Sequence, residues 1–166
     1  MTARALALLL LALSLACVAP PREPQPARGN PQQPGAKLLA NEAEVARQYE
    51  CARRARPLLV LEESALRPTP LAAGQEFGHR IVYALCPARA GQRLAGTLRT
   101  RISFAGAVLV NDGAPFTASP GRWAVDTFIA LPPQAKPGAY ELEVAFTPAG
   151  GAVGFATKMP FSVWKK

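Results

Sequence analysis

Three cysteines and a single histidine are the side chains best suited to covalent, metal or acid–base chemistry in this chain. The histidine, His79, stands in FGHRIVYALC and shares strand parity with Ile81, Tyr83 and Leu85. That parity predicts a hydrogen-bonded histidine at the edge of a core. Use as a general base would require a nucleophile and an orienting partner. No GxSxG, HExxH, P-loop or CxxC signature supplies them. A transition-metal site needs several His, Cys or carboxylate ligands. A calcium site would have to be built from Asp112, Asp126 or nearby carbonyls, with no acidic cluster to support it. A glycosidase would pair two acids across a cleft. Glu62 and Glu63 are neighbours and face opposite sides of a strand, while Glu141 and Glu143 share an outward face, so solvated surface is expected for all four. The reading assigns no catalytic residue, no metal and no cofactor, and expects a non-catalytic protein.

The cysteines are more informative. Arg4 opens a positively charged start, ALALLLLALSLA (5–16) is an apolar run, and Ser14, Leu15 and Ala16 supply small residues for cleavage. This is the pattern of a signal peptide over residues 1–16. A dozen apolar residues are too few to span a bilayer, which takes roughly 20. The stretch ending at Cys17 resembles a bacterial lipoprotein leader, in which the residue after the cut is a cysteine that becomes lipid-modified. The resemblance implies lipid attachment at Cys17 and a membrane partner. With Val18 and Ala19 following, it implies an outer-membrane address in the cell envelope, facing the periplasm or the surface. Cleavage after Ala16 without lipid, or after Ala19, are the alternatives. Residues 17–37 are rich in proline and glutamine and are expected to form a solvated spacer. An odd number of cysteines leaves one over in an exported chain. With Cys17 given to lipid, Cys51 and Cys86 remain as a disulfide pair; two buried free thiols are the other reading.

Residues 38–166 are expected to form one domain. NEAEVARQYECARR (41–54) is the one helical candidate, with Asn41 and Glu44 as a capping box, Glu50 paired to Arg54, and Val45, Tyr49 and Ala52 as an apolar stripe; an irregular lead-in or an edge strand are the other readings. From Pro57 onward the pattern is β. In LRTRISF, Leu98, Thr100, Ile102 and Phe104 face in, while Arg99 and Arg101 face out. AVLVNDGAPF predicts a short strand ending in a turn at Asn111, Asp112 and Gly113. Pro-Gly-Xaa-aromatic occurs twice, at 120–123 and 137–140, each opening a long strand whose aromatic starts the inward row. A last hairpin turns at Gly150 and Gly151. About seven strands without crossover helices argue for an all-β, antiparallel sandwich. The paired Pro-Gly-aromatic strands resemble the later strands of immunoglobulin-like and fibronectin type III-like domains. No tryptophan lies between Cys51 and Cys86, so the immunoglobulin Cys–Trp–Cys signature is absent.

The global oddity is charge. The formal net charge is +8, and removing residues 1–16 takes away only Arg4. RRAR (53–56) and the outward Arg99 and Arg101 form a candidate surface for anionic partners. Charges that are merely solvated are the plainer reading. Nucleic acid is disfavoured by export and by the lack of aromatics interleaved with the arginines. Trp123 is expected to pack inward. Trp164, on the opposite parity from Phe161 and Val163, is expected to be exposed and joins Arg99 and Arg101 as a candidate contact. The leading expectation is a non-catalytic, lipid-anchored envelope protein that docks onto another envelope component. A binding module for a glycan or anionic polymer is the alternative, and an enzyme is third.

Overall fold

The computed structural model describes residues 35–151 and 153–164. The proposed signal peptide and Cys17 lie outside these residues. Nine strands, one α-helix and one short 3-10 turn follow in the order β1 (Ala36–Ala40), α1 (Glu42–Gln48), the turn Cys51–Arg53, β2 (Leu58–Arg67), β3 (Leu71–Ala72), β4 (Glu76–Cys86), β5 (Leu94–Phe104), β6 (Ala107–Ala118), β7 (Gly121–Ala130), β8 (Gly138–Pro148) and β9 (Phe155–Trp164). They form a four-stranded sheet, β1-β7-β4-β2, and a five-stranded sheet, β3-β9-β8-β5-β6. The chain is an all-β sandwich. The two strands beyond the expected seven are short: β1 reaches into the edge of the proline-rich stretch, and two-residue β3 makes the one parallel pairing, with β9.

The period-two pattern settles which faces meet. Ile81, Tyr83 and Leu85 of β4 and Trp123 and Val125 of β7 point inward, onto Phe116 and Phe146 of the opposite sheet. A second cluster at the other end joins Phe77, Ile102, Tyr140, Leu142, Val144, Phe161 and Val163. Rings interlock across the sheets: Tyr83 meets Phe116 edge-on at 6.0 Å, and Phe77 lies 5.6 Å from Phe161. The two Pro-Gly turns do open β7 and β8, and their aromatics Trp123 and Tyr140 are buried.

Asn111-Asp112-Gly113 is not a turn. β6 runs straight through it, with Asn111 opposite Arg101 and Gly113 opposite Arg99. The hairpin closes earlier, at Ala105 and Gly106, which both take positive φ (49° and 81°), as a two-residue turn matching strand twist requires. Gly113 and Pro115 are tolerated because β6 is an edge strand.

The helix is shorter than expected. Asn41 Oδ1 accepts from the Glu44 amide (2.9 Å) and Glu44 Oε2 accepts from the Asn41 amide (2.7 Å), completing the capping box. Seven residues on, the helix ends. Glu50 turns left-handed (φ 49°) and starts the 3-10 turn. The geometry then pairs Glu50 with Arg53 rather than Arg54, and Ala52 is exposed while Val45 is buried. Cys51 and Cys86 form a disulfide with Cα atoms 5.9 Å apart. Cys86 has the outward parity of β4, so the bond pins the helical segment to the outside of the four-stranded sheet, with Val45 of α1 and Ala84 of β4 in the same buried cluster. An immunoglobulin disulfide, by contrast, joins the two sheets.

Candidate functional site

His79 keeps its inward parity and is 3% exposed. Its Nε2 lies 3.1 Å from Ser64 Oγ on β2, and that hydroxyl donates to Met159 Sδ on β9 at 2.9 Å. Burial pushes the imidazole down to about 4, against a smaller opposing pull from Asp126. A serine beside a histidine is the beginning of a nucleophile–base pair, but here the histidine is buried between the sheets and the serine is part-buried. Asp126, the carboxylate that acts on it electrostatically, sits on the outward face in a bidentate clasp with Arg80 (2.7 and 2.8 Å). The arrangement locks β2 to β9 and keeps His79 neutral. Asp126 is therefore committed to an arginine, and among the described residues no three His, Cys, Asp or Glu side chains gather as a metal cluster.

The outward charges of the strands are largely matched. Arg101 reaches Glu143 at 4.0 Å, and Lys158 reaches Glu141 at 2.8 Å and Glu143 at 3.7 Å, an alternating ladder across β5, β8 and β9. The Arg101 Nε is buried without a hydrogen-bond partner, so this side chain lies along the sheet instead of reaching out. Glu62 is exposed, as expected, but its carboxylate is engaged. A bulge in β2 turns it toward Arg122 on β7, which binds it twice (2.7 and 2.8 Å) across the small Ala84. The Tyr49 hydroxyl donates to the same carboxylate (2.6 Å), and Arg122 also donates to Gln48 Oε1 (2.7 Å). Burial raises the Glu62 carboxyl, but these hydrogen bonds outweigh it and hold the group below its ordinary value. The network ties α1 to two strands.

Arg99 differs from Arg101. Its cross-strand neighbours are Gly113 and Ala145, so no acid faces it. It borders an open hollow of about 570 Å³ with Thr97, Thr147 and Pro148. Trp164 is half-exposed (51%) on the same outward face. It lies roughly 20 Å further along β9 than Lys158, the residue level with Arg101, at 3.3 Å per residue. The fold therefore places Arg99 and Arg101 together and keeps Trp164 apart from them.

The unmatched charge lies at the helix-bearing end. Arg47, Arg53, Arg54 and Arg56 come from α1 and the residues after it, and Arg89 and Arg93 from the β4–β5 loop. The Gly91 amide donates to Glu42 at 3.1 Å, joining loop to helix. These six exposed arginines face three glutamates. Glu42 is taken by that amide, Glu44 by the cap, and Glu50 by Arg53 at 3.5 Å. RRAR was legible in the sequence, but the loop arginines that join it were not, because they lie some thirty residues downstream.

No protein-family model matches the chain, and no curated protein matches it at a significant level. Among solved structures it is similar to the sporulation control protein Spo0M of Bacillus subtilis, at 13% identity and TM-score 0.44 over 63% of this chain and 49% of that one. It is also similar to a family 123 glycoside hydrolase from Clostridium perfringens, at 13% identity and TM-score 0.43 over 58% of this chain and 22% of that one. A β-glucosidase from Erythrobacter marinus matches at 11% identity and TM-score 0.43, over 65% and 16%. The matched region spans about a sixth to a half of the length of these proteins.

Proposed function

We propose that this chain is a non-catalytic interaction module of the cell envelope, held to a membrane by lipid on Cys17 through a proline-rich spacer. Its rigid sandwich presents the helix-bearing end to an anionic envelope component, either an acidic polymer or an acidic protein surface. One observation carries the reading: strand-face charges are largely paired, while the helical segment and the β4–β5 loop that it contacts carry six exposed arginines against three glutamates, a surplus of positive charge at one end. A concentrated surplus of one sign attracts the opposite charge and speeds encounter. The disulfide and the Arg122–Glu62 network support this role by holding the helical segment as a fixed platform. A second reading is favoured by Arg99, where an unmatched guanidinium and two threonines border a hollow suited to an anionic sugar.

The test uses the full chain with its own leader, expressed in cells with a photo-crosslinking residue at Arg54 or, as control, at Ser162 on the far end of the sandwich. The chain should sediment with membranes and lose that property on Cys17→Ala. The Arg54 position should give an adduct with an acidic envelope partner that the Ser162 position does not. Equal labelling from both positions removes the docking surface, and membrane association indifferent to Cys17→Ala removes the anchor.

A further inference from the structure

At the end of the sandwich away from the helix, the β5–β6 hairpin and the segment 131–137 enclose a cleft of about 370 Å³. Phe104, Leu109, Pro132 and Tyr140 give it apolar walls, and Gln134 and Lys136 are the polar side chains that face it. Leu109 reaches the cleft through a bulge. The ladder passes from Ile102 and Val110 directly to Ser103 and Val108, so Leu109 has no cross-strand partner. An extra residue of this kind re-aims a side chain.

Both walls are fixed in place. Phe104 lies on Tyr140 with ring centroids 4.6 Å apart. Gly138 (φ +146°) leaves room for that ring, since a Cβ there would stand 2.8 Å from Phe104 Cε2. On the other side, the Leu131 amide donates to Gln75 O (3.0 Å) and the Gly74 amide to Pro132 O (3.3 Å). The Tyr140 hydroxyl donates to Lys136 O (2.8 Å), which ties the two walls together. The cleft is therefore built in advance of any ligand, as small-molecule sites usually are, and its volume falls within their range of roughly 300–1,000 Å³.

The rim is apolar as well: Val108 is 53% exposed and Leu109 47%. An exposed apolar patch bounded by polar groups marks a place of binding. Charge decides what binds. No carboxylate lines the cleft, and Lys136, its one charged residue, makes no ion pair among the described residues.

We propose that this cleft binds an amphiphilic carboxylate. Its apolar body lies against Phe104, Leu109 and Pro132, and its head group pairs with the Lys136 ammonium and accepts from the Gln134 amide. An exposed ion pair contributes little affinity, so the apolar walls hold the ligand and Lys136 selects the sign of its charge. The site stands apart from the arginine-rich end, and neither depends on the other.

The purified full chain is irradiated with decanoate carrying a diazirine at its tail, and separately with decylamine carrying the same group. Adducts are then located by peptide mass. The carboxylate should label residues 104–109 and 132–136, unlabelled decanoate should compete, and the amine should label them far less. Lys136→Gln should lower labelling by the carboxylate several-fold and erase its preference over the amine. Ala107→Trp, at an exposed position on the cleft, should abolish labelling there while leaving the melting temperature in place. Equal labelling of the wild type by the two probes overturns the proposal, as do adducts spread evenly along the chain or cleft labelling that survives Ala107→Trp.

Discussion

The outward face of the four-stranded sheet has a covered half and a bare half. Toward the helix-bearing end, Ala84 and Cys86 are buried against Val45 of α1 and Cys51 of the 3-10 turn, and Val82 and Ala124 are buried beside them. Toward the other end the same two strands present Gly78, Arg80, Asp126 and Phe128 to solvent. The difference lies in side-chain size and in covalent anchoring. Two alanines let a helix approach closely and let Arg122 and Glu62 meet across a strand; a disulfide then holds the cover down. Below, an exposed ion pair and an aromatic ring hold nothing in place. A seven-residue helix is too short to be stable alone, so its existence depends on what it covers.

Breaking the cover should have the largest effect. The Cys51→Ser, Cys86→Ser double variant reopens a loop of 35 residues, which costs about 3–4 kcal/mol on the chain-entropy scale. Denaturant melts should show that loss, and hydrogen exchange should show protection falling first over residues 42–53, with β8 and β9 last to follow.

The next effect belongs to the core beneath the bare half. Burial holds His79 at about 4, below the ordinary 6.5, so the unfolded chain binds the proton more readily. Stability is then fully present above about pH 6.5 and declines as pH falls toward 4, by on the order of 3 kcal/mol in all. His79→Gln should flatten that part of the stability–pH curve; an unchanged slope would show that other groups produce it.

Arg122→Ala should cost about 1.5–3 kcal/mol, the range for hydrogen bonds to charged groups, because both side chains are largely shielded and Glu62 loses its arginine. The matching removal in the bare half, Arg80→Ala, should leave the melt within scatter, since that pair is half-exposed. Equal losses from the two variants would erase the distinction between the halves.

Much of the fold was legible in the sequence where one physical rule dominates locally. Alternation in β4 and β8 announced which side chains point inward, the Pro-Gly-aromatic turns announced β7 and β8, and Asn41 with Glu44 announced a helix start. The candidate surface was legible only in part, because it depends on pairings between distant segments. Nothing near Glu62 signals Arg122 sixty residues later, and nothing near Arg101 signals that Glu143 lies one strand away. Ser64 was missed as the partner of His79 because a lone serine in a strand carries no pattern. Asn111-Asp112-Gly113 misled because its turn chemistry is tolerated on an edge strand once Ala105 and Gly106 have closed the hairpin.

The most direct measurement is retention of the purified chain on immobilised dextran sulfate and on poly-glutamate, eluted with salt. Three proteins are compared: the wild type, Arg53, Arg54 and Arg56 replaced together by serine, and Arg99 and Arg101 replaced together by serine. If the helix-bearing end is the docking surface, the triple variant elutes at markedly lower salt on both matrices and the double variant stays close to wild type. Elution of the triple variant with the wild type, or an equal loss in the double variant, would contradict it.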